Sequence, residues 1–231
     1  MTVRIGLVFP ELLGTYGDGG NAIVLAQRLR WRGIDADIVR IGVDDPLPDD
    51  CDIYVLGGGE DAPQTFATDR LADAGFVQFV ERGAVVFAVC AGFQILGTSF
   101  TGSDGAPQPG LGLIDCTTRP KGERQIGELV VEPTGLDLPL LTGFENHGGI
   151  TELGAGGVAL GRVKAGFGNG TGDVEGVVAG HVVGTYLHGP ALARNPALAD
   201  LLLSWVVGAL EPLDEPIVER LRSERLRAAL G

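Results

Sequence analysis

The feature that most constrains the fold of this chain is an alternation of apolar runs with helical patterns through its first hundred residues. Strands are predicted at 3–9, 35–41, 52–56 and 84–89, and helices at 21–31, 71–82 and 91–97. Strands joined through helices run parallel, so the pattern predicts an α/β fold with a mostly parallel central sheet and helices on both faces. Sites in such sheets lie at the carboxyl ends of the strands.

The pattern changes after about residue 110. Shorter strands joined by glycine-rich turns are predicted at 128–132, 157–163 and 174–187, which indicates a smaller antiparallel extension. An amphipathic helix is predicted at 195–210, where Pro196 occupies the first turn, and a charged helix at 216–230. Because the sequence shows no repeat, low-complexity segment or clear linker, we expect residues 1–231 to form a single domain.

Charge and composition disfavour several classes of protein. The 17 basic and 30 acidic side chains give a net charge of −13, which disfavours binding to nucleic acid or to an anionic membrane. No signal peptide is predicted, and the longest apolar run, 84–97, is shorter than the roughly 20 residues that span a bilayer. The three cysteines contain no C-x-x-C pair, so we expect no disulfide framework and a cytoplasmic location. The three histidines lack the spacing of metal ligands, so we expect no metal site.

The strongest chemical signal is Cys90, which stands where an apolar strand meets a helix. Small residues, Ala88 and Gly92, flank it two positions away on each side, as in the nucleophile elbow of hydrolases. The start of a helix favours the thiolate, and the N–H of Ala91 is placed to stabilise an oxyanion. The alternative is a buried core cysteine, the usual state of a free cysteine. The elbow pattern favours a catalytic nucleophile.

A cysteine nucleophile requires a base, and His188 is the best placed of the three histidines. It follows an apolar run and precedes Gly189-Pro190, so we expect it at the carboxyl end of a strand, facing the elbow. His147 lies in a polar stretch that is predicted to be a loop, where it either lines a pocket or is solvated. His181 begins the strand that His188 ends and is the least favoured of the three as the base.

Two glycine-rich loops follow predicted strands. Gly57, Gly58 and Gly59 suit a nest of backbone N–H donors for an anion, although a plain turn is the alternative and a glycine run alone is weak evidence. The loop at 14–21 does not meet the G-x-G-x-x-G spacing of dinucleotide-binding sites. Its Asp18, with the nearby Glu11, would also oppose a pyrophosphate, so no nucleotide site is predicted there.

Several of these segments together resemble the class I glutamine amidotransferases. They are the elbow at 88–97, the 57–59 loop and the YLHG segment at 186–189. The closer resemblance is to the cobyric acid synthase-like branch. Within that branch, the segments 16–21 (YGDGGN) and 144–149 (FENHGG) resemble the GatD-type glutaminase subunits of lipid II isoglutaminyl synthases. The resemblance covers nearly the whole chain and implies a flavodoxin-like amidotransferase domain of the cobBQ type.

The resemblance also implies roles for individual residues. Cys90 would form a γ-glutamyl thioester, and His188 would act as general acid and base. The N–H groups of Gly58 and Ala91 would hold the oxyanion. Arg124 corresponds to the substrate-binding arginine of the family, whose forked guanidinium suits the α-carboxylate of glutamine. The residues expected to line the pocket are Gly57, Asn146 and His147.

This chain departs from the family pattern at two places. Many class I enzymes carry a glutamate two residues after the catalytic histidine, whereas this chain has Pro190. The group that orients His188 is therefore missing or comes from elsewhere, including from a partner. Ala88 and Ala91 stand where relatives often carry glycine, and both are small enough for the elbow.

The function implied by the resemblance is glutamine hydrolysis that supplies ammonia to a Mur-ligase-like (MurT-type) subunit. That partner would hold ATP and Mg²⁺ and would amidate the D-glutamate of the lipid II stem peptide, so this chain would hold no cofactor. The alternatives are a glutaminase subunit of another biosynthetic amidotransferase, such as a cobyrinate-type enzyme, and a non-catalytic flavodoxin-like scaffold subunit. Alkylation separates the enzymes from the scaffold, because a nucleophilic Cys90 is expected to react at neutral pH with a lowered pKa. Amidation of lipid II in the presence of the partner separates the two kinds of amidotransferase.

Overall fold

The computed structural model describes residues 2–102 and 105–231, without the side chains of residues 61 and 62. The strands are β1 (Val3–Val8), β2 (Ala36–Ile41), β3 (Ile53–Leu56), β4 (Val85–Val89), β5 (Ser99–Thr101), β6 (Pro107–Pro109), β7 (Cys116–Pro133), β8 (Leu141–Leu153), β9 (Gly161–Ala165), β10 (Val174–Glu175), β11 (Val177–Ala179) and β12 (Val182–Thr185). The helices are α1 (Gly20–Trp31), α2 (Asp61–Asp73), α3 (Phe76–Glu81), α4 (Ala91–Leu96), α5 (Ala191–Arg194), α6 (Pro196–Val207) and α7 (Pro216–Leu230).

The first sheet has the strand order β11-β12-β4-β3-β1-β2. Its strand pairs are parallel except for β11 with β12, so the predicted parallel sheet is confirmed. The central strands β3 and β4 are buried along their whole length, which is why their sequences are continuously apolar. This order brings the loops that follow β1, β3, β4 and β12 to one edge of the sheet.

The helices beside this sheet fall into two groups. In one, α1 packs against β1, β2, α5 and α6, and α6 also reaches β4. In the other, α4 packs against β4 and β12, and α2 packs against α4. The single helix predicted at 71–82 is wrong, because α2 and α3 are separate helices. Gly75 lies between them with a φ of +71°, a backbone conformation that stops α2 and that glycine adopts without strain.

The second sheet has the order β10-β9-β7-β5-β6, with β8 also paired to β7. Its described pairs are antiparallel except for β5 with β7, which agrees with the predicted antiparallel extension. The predicted boundaries are less accurate. The strand expected at 128–132 is the end of the 18-residue β7, and the strand expected at 157–163 is β9. The stretch 174–187 is divided into β10, β11 and β12.

Strand β8 is absent from the sequence prediction. The segment 144–149 was expected to be a polar loop, but it lies in the middle of β8. Along most of this strand the inward-facing side chains are polar rather than apolar, and they include Glu145, His147 and Thr151. Because the strand prediction depends on alternating apolar residues, it cannot detect a strand whose buried face is polar.

The two sheets meet at His188. Its backbone N–H donates to the carbonyl of Phe144 in β8 at 2.8 Å, and the two residues form an antiparallel bridge. The residue predicted to be the catalytic base is therefore held by both sheets. None of the helices in the described part of the chain is long and apolar enough to cross a bilayer.

Candidate active site

The backbone at Cys90 forms the sharp turn that the sequence predicts between β4 and α4. Cys90 has a φ of +53° and a ψ of −110°, which is a strained conformation for a residue with a side chain. At Gly92, a Cβ atom would lie 2.7 Å from the Cβ of Leu56 and 3.0 Å from the carbonyl oxygen of Gly57. Only glycine fits there without a shift of the neighbouring backbone, so the small residue of the pattern has a steric cause.

Cys90 opens into a cavity of about 200 Å³ between the edge of the first sheet and the second sheet. Its wall carries side chains of both charges as well as amides and ring groups. They include Tyr16, Glu60, Gln64, Gln94, Arg124, Asn146 and His147. A cavity with a cysteine at its floor and opposite charges on its wall suits a small zwitterionic molecule.

Burial controls the protonation of Cys90. Removal from water raises the pKa of the thiol to about 12, and the negative charge of Asp18 acts in the same direction. The backbone N–H of Ala91 and the charge of Arg124 lower the pKa by less. The expectation of a lowered pKa is therefore wrong, because desolvation outweighs the effect of the helix start. The resting residue is a thiol that requires a base.

Alkylation of Cys90 tests this conclusion. In the folded protein, the rate of reaction with iodoacetamide is expected to rise about tenfold per pH unit between roughly pH 7 and 10, because the thiolate fraction grows tenfold per unit below the pKa. Mass spectrometry of the labelled peptide gives the rate, and Cys90→Ala gives the background from the other two cysteines. A rate that levels off near pH 7 would show a free thiolate instead.

His188 is fully buried beside the cavity, behind Tyr16. The Tyr16 ring meets the imidazole edge-on at 5.0 Å, and the Phe144 ring stacks on it at 5.4 Å. Its Nδ1 lies 2.7 Å from the carbonyl oxygen of Tyr186, which fixes the proton on Nδ1 and leaves Nε2 as the acceptor. Nε2 has no hydrogen-bond partner. Burial lowers the pKa of His188, so the ring is neutral and able to accept a proton.

Arg124 reaches the cavity from β7 and not from a loop. Its Nη1 donates to the side-chain oxygen of Asn146 at 2.9 Å and to the hydroxyl of Tyr16 at 3.1 Å. These contacts aim the guanidinium at the cavity, and its other nitrogens remain free of protein partners among the described residues. The structure therefore brings Arg124 and Asn146 together, as the prediction for these two residues requires.

His147 lines the cavity, but it is buried in β8 rather than solvated in a loop. Its Nε2 lies 3.3 Å from a carboxylate oxygen of Glu145, and its Nδ1 lies 3.1 Å from the carbonyl oxygen of Gly149. Backbone N–H groups of Phe167 and Gly168 donate to the same carboxylate. The ring is occupied by these contacts and stacks on Tyr186, so His147 supports the wall of the cavity and does not compete with His188 as a base.

The three glycines after β3 occupy different positions. Gly57 lies beneath the cavity, where its carbonyl accepts the N–H of Gly92 at 3.1 Å, so the prediction that it lines the pocket is wrong. The loop residue that borders the cavity is Gly59. The N–H of Gly58 donates to Asp18 Oδ2 at 2.8 Å. Gly58 can therefore bind an oxyanion only when this hydrogen bond opens, whereas the N–H of Ala91 is directed at the Cys90 sulfur.

Sequence reasoning missed several residues of the cavity wall. Tyr16 and Glu60 lie in the loops that follow the neighbouring strands β1 and β3. Because sites form at the carboxyl ends of parallel strands, their positions in the sequence could have indicated that they line the site. Gln94 lies one turn after Cys90 in α4, and its side chain bonds Gln64 and the hydroxyl of Tyr186. Within the described residues, no group of three or more His, Cys, Asp or Glu side chains is arranged to hold a metal ion.

Comparison with known families identifies the family and supports the fold. The CobB/CobQ-like glutamine amidotransferase domain matches residues 4–196. The chain belongs to this family. A solved structure described as a glutamine amidotransferase superposes with a TM-score of 0.58 over 88% of this chain and 98% of its own, at 22% identity, which supports the amidotransferase fold.

Curated relatives narrow the family further. The GatD subunit of the lipid II isoglutaminyl synthase (glutamine-hydrolysing) of Staphylococcus aureus is 38% identical over 84% of this chain and 79% of the relative. The GatD subunit of Streptococcus pneumoniae is 35% identical over 87% and 79%. A probable cobyric acid synthase of Methanoregula boonei is 33% identical over 72% of this chain, but this match spans only 35% of that relative. This amidotransferase therefore resembles GatD subunits over most of both lengths.

Proposed function

We propose that this amidotransferase is the glutaminase subunit of a lipid II isoglutaminyl synthase. The observation that carries the proposal is the thiol of Cys90 on a strained elbow at the floor of a cavity that also presents Arg124 and Glu60. The similarity to a GatD subunit over 84% of the chain supports the assignment to the amidation of lipid II. Glutamine is the substrate that this set of groups suits.

Both ends of glutamine find partners in the cavity. The guanidinium of Arg124, held by Asn146 and Tyr16, binds the α-carboxylate. The carboxylate of Glu60 binds the α-ammonium group from the opposite loop. The side chain of glutamine then points to the cavity floor, where its amide carbon meets the Cys90 sulfur.

The neutral pair of thiol and imidazole performs the chemistry. His188 Nε2 takes the proton of the thiol as the sulfur–carbon bond forms, and the N–H of Ala91 stabilises the oxyanion. The imidazolium then protonates the leaving nitrogen as the carbon–nitrogen bond breaks, which releases ammonia and leaves the γ-glutamyl thioester on Cys90. His188 activates a water molecule that hydrolyses the thioester, and glutamate leaves with the thiol restored.

We propose that a second subunit uses the ammonia, so that the chain works in a heterodimer. We propose a MurT-type ligase subunit that holds ATP and Mg²⁺ and amidates the D-glutamate of lipid II, and a cytoplasmic location for the pair. No cofactor takes part in glutamine hydrolysis as described above. The net charge of −13 argues against nucleic acid as a further partner.

The second candidate function is the supply of ammonia to a cobyrinate-type synthetase, because the matched family includes cobyric acid synthases. The chain corresponds to about a third of such a relative, so a separate synthetase would be required. A non-catalytic scaffold is the third candidate. It is disfavoured because a strained backbone at Cys90 costs roughly 1–3 kcal/mol and has no structural purpose in a scaffold.

The experiment is glutamate release from glutamine by the purified chain, alone and with a MurT-type subunit, with Cys90→Ala as the control. Release that Cys90→Ala abolishes is the expected result. Amidation of lipid II in the reconstituted pair with ATP identifies the acceptor, and a cobyrinate substrate serves as the comparison. A folded protein that releases no glutamate in either setting would contradict the proposal and favour the scaffold, and release that survives Cys90→Ala would mean that another residue is the nucleophile.

A further inference from the structure

Asp18 is a buried acid in the loop between β1 and α1 that the mechanism above does not use. Its side chain is inaccessible to solvent. Oδ2 accepts the N–H of Gly58 at 2.8 Å, and the backbone N–H of Gly189 lies near enough to lower the pKa of the carboxyl group. Asp18 therefore lies among the loops that follow β1, β3 and β12. Two of these loops carry the predicted oxyanion donor and the predicted base.

The environment of Asp18 points to His188. Oδ1 of Asp18 and Nε2 of His188 are both buried, and neither has a hydrogen-bond partner. Asp18 Oδ2 and the Cβ of Cys90 lie 3.3 and 3.4 Å from the position that a Cβ at Gly58 would take, so the acid is next to the nucleophile as well. A carboxylate without a counter-charge is costly to bury, which argues for a purpose at this place.

Other buried acids near the site are committed elsewhere. Glu145 accepts two backbone N–H groups and contacts His147. Glu175 accepts the N–H of Tyr186 and the hydroxyl of Thr185, and burial raises its pKa to about 7. The acid whose charge acts on His188 is Asp18.

We propose that Asp18 is the positioning carboxylate of this site, which holds the Gly58 backbone and stabilises the imidazolium that His188 becomes when it takes the proton of Cys90. The proposal rests on the proposed glutaminase function. The proposal gives the task of orienting the histidine to a residue 170 positions before His188 in the sequence. Many class I enzymes use a glutamate two residues after the histidine for this task, where this chain has Pro190.

The electrostatics of the cluster give the proposal a signature. The titratable groups facing His188 are Asp18, the ring of His147 and the hydroxyl-bearing ring of Tyr16. Asp18 raises the pKa of His188 and also that of Cys90, while His147 lowers the pKa of His188. Burial raises the pKa of Asp18 itself, and the N–H groups of Gly58 and Gly189 and the charge of His188 oppose that rise.

The test is Asp18→Asn, which keeps an oxygen for the N–H of Gly58 but removes the charge. We expect kcat for glutamine hydrolysis to fall at least ~30-fold while KM changes less than ~3-fold, because the imidazolium loses its counter-charge. We also expect Cys90 to react with iodoacetamide at least ~10-fold faster at pH 8, because the charge that opposes the thiolate is gone. Loss of turnover together with gain of thiol reactivity is not expected from a merely structural residue.

The matched control is Glu11→Gln, which removes one exposed negative charge from the same loop and should change neither quantity. Asp18→Ser provides a second uncharged variant, and we expect the same two effects in it. A folded Asp18 variant with the kcat of the wild type, or with an unchanged alkylation rate, would overturn the proposal. Absence of turnover in the wild type would contradict the glutaminase function instead, and the alkylation rates would still decide the role of Asp18.

Discussion

Replacement of His188 by glutamine is expected to lower kcat for glutamine hydrolysis roughly 10³-fold, while KM stays within about threefold of the wild type. The thiol of Cys90 has a pKa near 12, so almost none of it is ionised at neutral pH without a base. His188 carries the unpartnered Nε2 beside the site. Its burial lowers the pKa of the ring, which keeps the imidazole neutral as the pH falls toward its usual pKa.

Steady-state glutamate release with the partner present measures this effect. His181→Gln is the matched control, because His181 stacks on the ring of Trp205 outside the cavity and should leave kcat unchanged. Circular dichroism and the melting temperature show whether His188→Gln folds, since the backbone bond from His188 to Phe144 does not depend on the side chain. A folded His188→Gln protein with more than about a tenth of the wild-type kcat would mean that another group deprotonates the thiol.

Replacement of Arg124 by leucine is expected to raise KM for glutamine roughly 100-fold, with a smaller change in kcat. A charge-assisted bidentate contact to a carboxylate contributes about 2 to 3 kcal/mol, which corresponds to this change in affinity. The residue lies at the surface of β7 and packs against no core, so folding is not at risk. Arg124→Lys is expected to lie between the two, because lysine keeps the charge but loses the fork that contacts Asn146 and Tyr16.

Saturation kinetics with glutamine test the prediction for Arg124. Arg162→Leu is the control, because Arg162 is an exposed arginine on β9 of the same sheet and should leave KM unchanged. Glutamine analogues that lack the α-carboxylate provide a second arm, and Arg124→Leu should affect their hydrolysis little. An unchanged KM for glutamine in Arg124→Leu would place the α-carboxylate against another group.

The first sheet and the elbow could be predicted from the sequence because their signals are local. Strands β3 and β4 are covered on both faces and are therefore apolar throughout, and Cys90 needs small neighbours within two residues of it. Strand β8 and its burial could not be predicted, since most of the side chains on its inward face are polar groups such as Glu145, His147 and Thr151. Glu145, for example, is satisfied by the backbone at Phe167 and Gly168.

The electrostatics of the site depend on contacts that are far apart in sequence. Asp18 meets Gly58 only after β1 and β3 have paired, so the sequence of its loop does not indicate that its charge acts on the catalytic residues. The pKa of Cys90 was predicted in the wrong direction for the same reason. The helix start is visible in the sequence, whereas the desolvation that outweighs it arises from the packing of the whole site.

The bridge between Phe144 and His188 has a mechanical consequence. Cys90 is carried by the first sheet, whereas the backbone N–H of His188 is tied at 2.8 Å to a strand of the second sheet. Any force that displaces β8 must therefore stretch this bond or carry the imidazole with it. A protein that binds the second sheet and displaces β8 would therefore shorten or lengthen the distance between the thiol and the imidazole, without contacting either side chain.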